Sequence, residues 1–168
     1  MTEVVCDAGP LIHLDELGWV DLLSDFESVL IPRSVLREVE RHRPGLESVE
    51  GIAAEVVAVS IVATPDFATL IRTLALGTGE QAALSLALSR GGALMLTDDS
   101  AARLAANALG VRAYGTLGIL LRSIRRRQRS REEVLGVLRS LSSRSSLYVR
   151  ADLLQEVIAE IEAMSSQI

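Results

Sequence analysis

Short apolar runs alternate with longer segments of helical periodicity along the chain. The apolar runs are bounded by Gly, Pro, Asp or Ser, which favours buried strands, and they cover residues 3–6, 28–31, 56–62, 93–96 and 111–114. Between them, apolar side chains recur every three or four residues, as is typical of amphipathic helices. Strands that alternate with helices predict an α/β fold, in which helices cover both faces of a mainly parallel sheet.

Half of the predicted helices begin at Pro or Ser, residues that favour a helix start. Thr78 is the predicted N-cap of an apolar helix over 80–89. The predicted helices cover about 10–17, 19–26, 32–41, 45–54, 65–74, 80–89, 100–109, 115–121, 130–141 and 151–164.

The composition fits one domain with a sizeable core, because the chain has 168 residues of which 49% are hydrophobic. No apolar run approaches the ~20 residues that span a bilayer. The first residues also lack the pattern of a signal peptide. The single cysteine, Cys6, excludes an internal disulfide framework, so we expect a cytoplasmic protein without membrane contacts.

The net charge of −5 argues against broad, nonspecific binding to nucleic acid. However, every basic residue is an arginine, and six of them lie between 122 and 131 without an intervening acid. Arginine suits bidentate contacts to phosphate, which makes Arg122, Arg126 and Arg129 candidate RNA contacts. These residues share one side of a helix, so a solvated charged face is the slightly favoured alternative. Aromatic residues make up only 3%, which argues against base stacking as a major binding mode.

Acidic residues follow predicted strands at two places. Asp7 ends the first strand, and the adjacent Asp98 and Asp99 end the strand over 93–96. Glu80 opens an apolar helix after a Gly-Thr-Gly loop. Since ligands bind beyond the carboxyl ends of parallel strands, these acids are predicted to face one edge of the sheet.

Each acid also has a purely structural interpretation. Asp7 could form a turn, Asp98 and Asp99 could cap a helix, and Glu80 could stabilise a helix start. A cluster of carboxylates would repel itself unless a hard cation such as Mg²⁺ bound it, and such a site can hydrolyse phosphodiesters. Glu38 flanks the apolar stripe of its helix, where Glu40 is its competitor and a solvated face is the alternative.

Other chemistries find little support. His13 and His42 have no catalytic setting, so neither a nucleophilic triad nor a zinc site is expected. The loop at 77–80 is no P-loop, because no Gly-Lys-Ser/Thr follows it. Thr97 and Thr116 are interpreted as turn or capping residues.

The order of four motifs resembles the PIN-domain nucleases. These are V-V-C-D-A-G-P-L-I, V-L-R-E-V-E, G-T-G-E-Q-A-A-L-S-L-A and L-T-D-D-S-A-A-R-L-A. A bacterial and archaeal PIN-like branch, with G-E-x-x-A, D-D-x-x-A-R and a following G-T-L-G, is similar over about Val4 to Leu121. The resemblance implies a three-layer α/β/α sandwich. It divides the chain into a catalytic domain over 1–121 and a helical extension over 122–168 packed on the same domain.

The resemblance also implies metal-dependent RNA cleavage with Mg²⁺ or Mn²⁺. Asp7 matches the first acid of the family and Glu38 the second. Glu80 stands where Asp is more usual, and either Asp98 or Asp99 matches the last position, with Asp99 preferred. The predicted catalytic set is Asp7, Glu38, Glu80, Asp98 and Asp99, of which all but Glu38 are predicted metal ligands.

Many proteins of this type look like the toxin half of toxin–antitoxin pairs of the VapC type. The resemblance therefore implies an RNA substrate and an antitoxin partner, and we also expect a homodimer. The alternative function is a PIN-like binding module that acts through a protein partner.

Overall fold

The computed structural model describes residues 2–45 and 52–164, in which strands and helices alternate as predicted. The strands are β1 (Glu3–Cys6), β2 (Ser28–Pro32), β3 (Ala54–Val57), β4 (Leu94–Leu96) and β5 (Ala113–Tyr114). The helices are α1 (Ala8–Leu17), α2 (Arg33–His42), α3 (Pro65–Leu74), α4 (Thr78–Ser89), α5 (Ser100–Ala108), α6 (Thr116–Arg125), α7 (Arg131–Arg139), α8 (Leu141–Arg144) and α9 (Ala151–Ala163). A 3₁₀ helix (Val20–Asp25) precedes β2.

The strands form one parallel sheet in the order β3-β2-β1-β4-β5. Strand β1 lies at the centre, where Val4 pairs with Val29 on one side and with Leu94 on the other. The carboxyl ends of β1 and β4 are therefore neighbours. This arrangement confirms the predicted parallel sheet.

Alternate residues of the central strands face two separate apolar cores, as the pleat of a strand requires. Val4 and Cys6 pack with α1, α2, α6, α7 and α9, whereas Val5 packs with α3, α4 and α5. Helices therefore cover both faces of the sheet, and the expected three-layer α/β/α sandwich is confirmed.

The prediction of a strand over 56–62 is wrong in its bounds, because β3 covers Ala54–Val57. Its partner β2 ends at Pro32, where α2 begins, so a longer β3 would have no strand to pair with. Beyond β3 the chain packs Val59 and Val62 against the core of α3–α5 instead. Most of the helix predicted over 45–54 lies outside the described residues.

The helix predicted over 80–89 begins two residues earlier, and Gly77 rather than Thr78 is its N-cap residue. This shift matters for the site, because it places Gly79 and Glu80 in the first turn of α4.

The C-terminal helices α7 and α9 pack on the same face of the sheet as α1, α2 and α6. Val134 and Leu138 of α7 and Ile161 of α9 belong to the same buried cluster as Val4 of β1. The predicted boundary between 121 and 122 falls inside α6, which runs without interruption to Arg125. Among the described residues, none of the helices has the length and apolar character needed to cross a membrane.

Candidate active site at the carboxyl edge of the sheet

Asp7 lies at the carboxyl end of the central strand, and its side chain is almost fully buried at 4% exposure. The Thr97 hydroxyl donates a hydrogen bond of 2.8 Å to Asp7 Oδ2, and the Asp7 N–H donates to the Leu96 carbonyl at 2.9 Å. Asp7 therefore joins the ends of β1 and β4.

Burial raises the pKa of the Asp7 carboxyl to about 7. Hydrogen bonds from the Thr97 hydroxyl and the Ala8 N–H oppose this increase, and the carboxylates of Glu80 and Glu38 add to it. A carboxyl that ionises only near neutral pH among other acids is one whose charge a bound cation would stabilise.

Glu38 of α2 approaches Asp7 across the start of α4. A Cβ atom at Gly79 would lie 2.9 Å from Glu38 Oε2 and 3.7 Å from Asp7 Oδ1, so both carboxylates converge on the same small space. Glu38 is half-buried there, whereas Glu40 points into solvent as an exposed residue. Glycine at 79 is thus the residue that lets two acids approach one helix start.

Glu80 lies in the first turn of α4 and folds back over that helix start. Its Oε2 atom lies 2.5 Å from where a Cβ atom would stand at Gly77. Burial raises the pKa of Glu80, hydrogen bonds from the N–H groups of Glu80 and Gly77 oppose the increase, and Asp99 and Glu38 add to it. Glu80 is therefore within electrostatic reach of acids from α2 and from the end of β4.

The two adjacent aspartates after β4 have different surroundings. Asp99 is the N-cap residue of α5, where its Oδ1 accepts a 2.7 Å hydrogen bond from the Ala102 N–H. Asp98 points elsewhere, because its Oδ1 accepts from the Thr116 N–H at 2.6 Å and its Oδ2 from the Thr116 hydroxyl at 2.6 Å. His13 Nδ1 also lies 2.7 Å from Asp98 Oδ2. Asp98 is thereby tied to α1 and α6, whereas Asp99 is an exposed residue close to Glu80.

Sequence reasoning missed the contributions of His13, Thr97 and Thr116. His13 contacts an aspartate 85 positions away, so no local pattern could have identified it. The local sequence suggests only turn or capping roles for Thr97 and Thr116, yet both are fully buried and donate hydrogen bonds to the acids. The sequence feature that could have identified them is their location, since Thr97 directly follows β4 and Thr116 begins α6.

The donor atoms fit a hard cation, since Asp7, Glu38, Glu80 and Asp99 present only carboxylate oxygens, the ligands that Mg²⁺ prefers. Within residues 2–45 and 52–164, however, no three His, Cys, Asp or Glu side chains are arranged so that they could hold a metal ion. Coordination would therefore require side-chain rotation, and Glu80, folded over its own helix, is the most evident candidate for such a movement.

The arginines considered as RNA contacts are engaged with the 3₁₀ helix. Arg122 and Arg126 bind the two oxygens of Asp25 at 2.5 and 2.6 Å, and Arg129 binds Asp21 at 2.8 Å. Burial alone would raise the pKa of Asp25, but hydrogen bonds from Arg126 and Arg122 outweigh this effect and lower it.

Two aromatic contacts complete this surface. The guanidinium of Arg122 lies 5.1 Å from the centre of the Phe26 ring, and that of Arg129 lies 4.9 Å from the Trp19 ring. These geometries are those of cation–π contacts, so this arginine surface has a structural use within the protein.

Comparison with known proteins places these features in context. The model of the PIN-domain family DUF3368 matches residues 3–163. A solved structure of a PilT N-terminus domain protein from the hyperthermophilic archaeon Sulfolobus solfataricus P2 is similar, with a TM-score of 0.52. The two sequences are 15% identical, and the match covers 73% of this chain and 94% of the other, so it shows a shared fold. No curated protein matches the chain.

Proposed function

Because the chain belongs to the PIN-domain family, a family with a nuclease fold, we propose that it is an endoribonuclease that uses Mg²⁺ or Mn²⁺. The observation that carries this proposal is the buried Asp7 at the end of the central strand, with Glu38 and Glu80 close enough to raise its pKa. A buried carboxylate cluster of this kind lowers the stability of a fold, and carboxylates with shifted pKa values are typical of functional sites.

The proposed metal-binding residues are Asp7, Glu80 and Asp99, with Asp98 as a further candidate. A bound divalent cation would supply an activated water and offset the negative charge that develops at phosphorus. Glu38, which lies beside Asp7, is the proposed acceptor of the proton of the attacking water. As the water oxygen bonds to phosphorus, the bond from phosphorus to the leaving oxygen breaks, and that oxygen takes up a proton.

The polar residues around the acids would keep this set in place. Thr97 holds Asp7 through its hydroxyl, and His13 and Thr116 hold Asp98. Such partners orient metal-binding carboxylates and are commonly as important as the ligands.

We propose further that the protein is the toxin of a type II toxin–antitoxin pair, active in the cytoplasm as a homodimer. The motifs G-E-x-x-A and D-D-x-x-A-R support this assignment through their resemblance to that branch of the family. An antitoxin segment with an arginine would complement the acidic edge formed by Asp7, Glu38, Glu80 and Asp99.

The direct test is cleavage of a panel of structured and unstructured RNAs by the wild type and by Asp7→Asn, with Mg²⁺, with Mn²⁺ and with EDTA. We expect cleavage only by the wild type with metal. Glu40→Gln is the matched control, since it removes an exposed carboxylate from the same helix as Glu38. Equal cleavage by the wild type and Asp7→Asn would contradict the proposal.

A binding module without catalysis is the second candidate, favoured by the lack of a preformed cluster of metal ligands among the described residues. Calorimetric titration with Mn²⁺ separates the two candidates. Binding that is lost in Asp7→Asn supports the enzyme, and no binding to the wild type supports the module.

A further inference from the structure

Asp98 and Asp99 line a groove of about 780 Å³. The beginning of α6, residues 147–150 and the start of α9 also contribute to its lining. Its volume lies within the range of about 300–1,000 Å³ that is usual for ligand sites. Two of the proposed acids, Asp98 and Asp99, thus line a groove that is large enough for part of an RNA strand.

The low aromatic content of the chain argues against stacking over a large surface, yet both tyrosines of the protein line this one groove, and both are exposed. The exposed fraction is 51% for Tyr114 and 84% for Tyr148. The two phenylalanines, in contrast, are buried in the two cores. Tyrosines at a groove wall offer ring faces for stacking without contributing to the core.

Two arginines also line the groove. Arg103 Nη2 donates to the Thr97 carbonyl at 3.2 Å, which holds its guanidinium near the acidic end. The Arg150 side chain is 70% exposed and lies 3.5 Å from that of Asp152, which is 63% exposed. These contacts are looser than those of Arg122 and Arg126 with Asp25, so the guanidiniums of the groove can bind phosphate at a smaller cost.

We propose that this groove binds single-stranded RNA, with bases stacked on Tyr148 and Tyr114 and phosphates beside Arg103 and Arg150. Rings and guanidiniums in one groove suit a chain of bases and phosphates, and stacking on a side chain requires bases that are not already paired. The continuity with Asp99 places the bound strand against the acidic edge. This inference rests on the proposed function, and it assigns the RNA contact to the groove instead of to Arg122, Arg126 and Arg129.

The test is fluorescence anisotropy with a labelled 12-nucleotide oligouridylate, using full-length Asp7→Asn with Mg²⁺ as the parent so that the RNA stays intact. Adding Tyr148→Ala should weaken binding by about 5- to 150-fold, the effect usual for the loss of one stacked base. Tyr148→Phe keeps the ring and should bind within about twofold of the parent. Because Tyr148 is 84% exposed, neither change should alter the melting temperature.

The arginine contact is tested by the dependence of affinity on salt. Arg150→Ala should reduce the slope of log K against log salt by about 0.7, the loss of one phosphate contact to a single strand. Arg72→Ala is the matched control, since Arg72 is exposed on α3, which packs on the other face of the sheet. For Arg72→Ala, the slope of log K against log salt should equal that of the parent. A blunt RNA duplex should compete at least about tenfold less well than the single strand.

Several results would contradict RNA binding in the groove and leave the nuclease proposal unaffected. One is unchanged RNA affinity in Tyr148→Ala while the wild type cleaves RNA with metal. Another is unchanged RNA affinity together with weaker self-association in sedimentation, which would make the groove a protein interface. Conversely, weaker RNA binding by Tyr148→Ala together with no cleavage by the wild type would support the groove and contradict the nuclease.

Discussion

Asp7 combines deep burial with two carboxylate neighbours, and the hydrogen bond from Thr97 compensates for only part of the resulting cost. Its pKa of about 7 in the folded protein compares with an ordinary value of 3.8. Between these values the folded protein binds more protons than the unfolded chain, so the free energy of unfolding falls as the pH rises through this interval. Glu80, whose pKa is also raised, contributes in the same direction.

Replacing Asp7 with asparagine should therefore stabilise the metal-free protein at pH 8. We expect a gain of roughly 2–4 kcal/mol over the wild type at pH 8, which shrinks towards pH 4 as the wild-type carboxyl becomes protonated. Urea unfolding in EDTA at several pH values measures this difference, with Glu40→Gln as an exposed control that should show no gain. A lower stability of Asp7→Asn at pH 8 would contradict the assigned electrostatic cost.

Substitutions of the adjacent Asp98 and Asp99 are expected to have different effects on Mn²⁺ affinity and on stability. Asp99→Asn keeps an efficient N-cap residue and removes only the charge, so it should lower the affinity for Mn²⁺ with little loss of stability. Asp98→Ala removes three hydrogen bonds to His13 and Thr116 and should reduce the free energy of unfolding by about 2–4 kcal/mol.

Calorimetry with Mn²⁺ and urea unfolding on both variants check this division. The Asp98→Asn variant, which keeps the size of the side chain and one acceptor oxygen, serves as the charge-matched partner of Asp99→Asn. A larger loss of Mn²⁺ affinity in Asp98→Asn than in Asp99→Asn would reverse the assignment.

At the scale of elements, the site is formed where two strands end and one helix begins. Strand β1 supplies Asp7, the turn after β4 supplies Asp99, and the first turn of α4 supplies Glu80, while α2 brings Glu38 from the side. Gly79 lies where Glu38 of α2 approaches α4, and a methyl group there would displace the Glu38 carboxylate from the helix start.

A comparison of Gly79→Ala with Gly136→Ala should separate the loss of Mn²⁺ affinity at the site from the general effect of alanine on helix stability. The new methyl group would meet Glu38 Oε2 at 2.9 Å, so we expect the affinity for Mn²⁺ to fall by about tenfold or more. Gly136→Ala is the control, because a Cβ atom there has no neighbour within 4 Å among the described residues and should stabilise α7 by about 0.5–1 kcal/mol. Calorimetry and thermal unfolding measure both effects, and unchanged Mn²⁺ affinity in Gly79→Ala would contradict the role of this glycine.

The packing of secondary-structure elements also explains why the role of the arginine-rich segment could not be predicted from the sequence. Its helical spacing was visible, but its partners Asp21 and Asp25 lie about 100 positions earlier in the chain. Only the packing of α6 against the 3₁₀ helix brings these charges together.

On the scale of the whole molecule, the C-terminal helices and the sheet share one core, so the chain should unfold as a single unit. Ile161 of α9 is fully buried in the same cluster as Val4 of β1. Ile161→Ala should therefore lower the free energy of unfolding by about 2–5 kcal/mol.

This variant should still unfold in one transition by both fluorescence and circular dichroism. Met164→Ala, at an exposed position of the same end, should change stability by less than about 0.5 kcal/mol. Two separate transitions would show instead that the extension is an independent unit.

The sequence by itself determined the alternation of elements, the parallel sheet and the order of the acids along it, because these follow from local periodicity and from where apolar runs end. It also favoured Glu38 over Glu40, since the apolar stripe of α2 already defines which side faces inward. The bounds of β3 escaped this reasoning, because a strand ends where its partner ends.

Only the tertiary structure decided which groups each acid meets. Asp98 and Asp99 are neighbours in sequence, yet one is held by His13 and Thr116 and the other caps α5 beside Glu80. The raised pKa of Asp7, the space at Gly79 and the groove with both tyrosines likewise arise from distant segments. Side-chain charge, burial and hydrogen bonding depend on distances in space, and local sequence patterns carry no information about distances between remote parts of the chain.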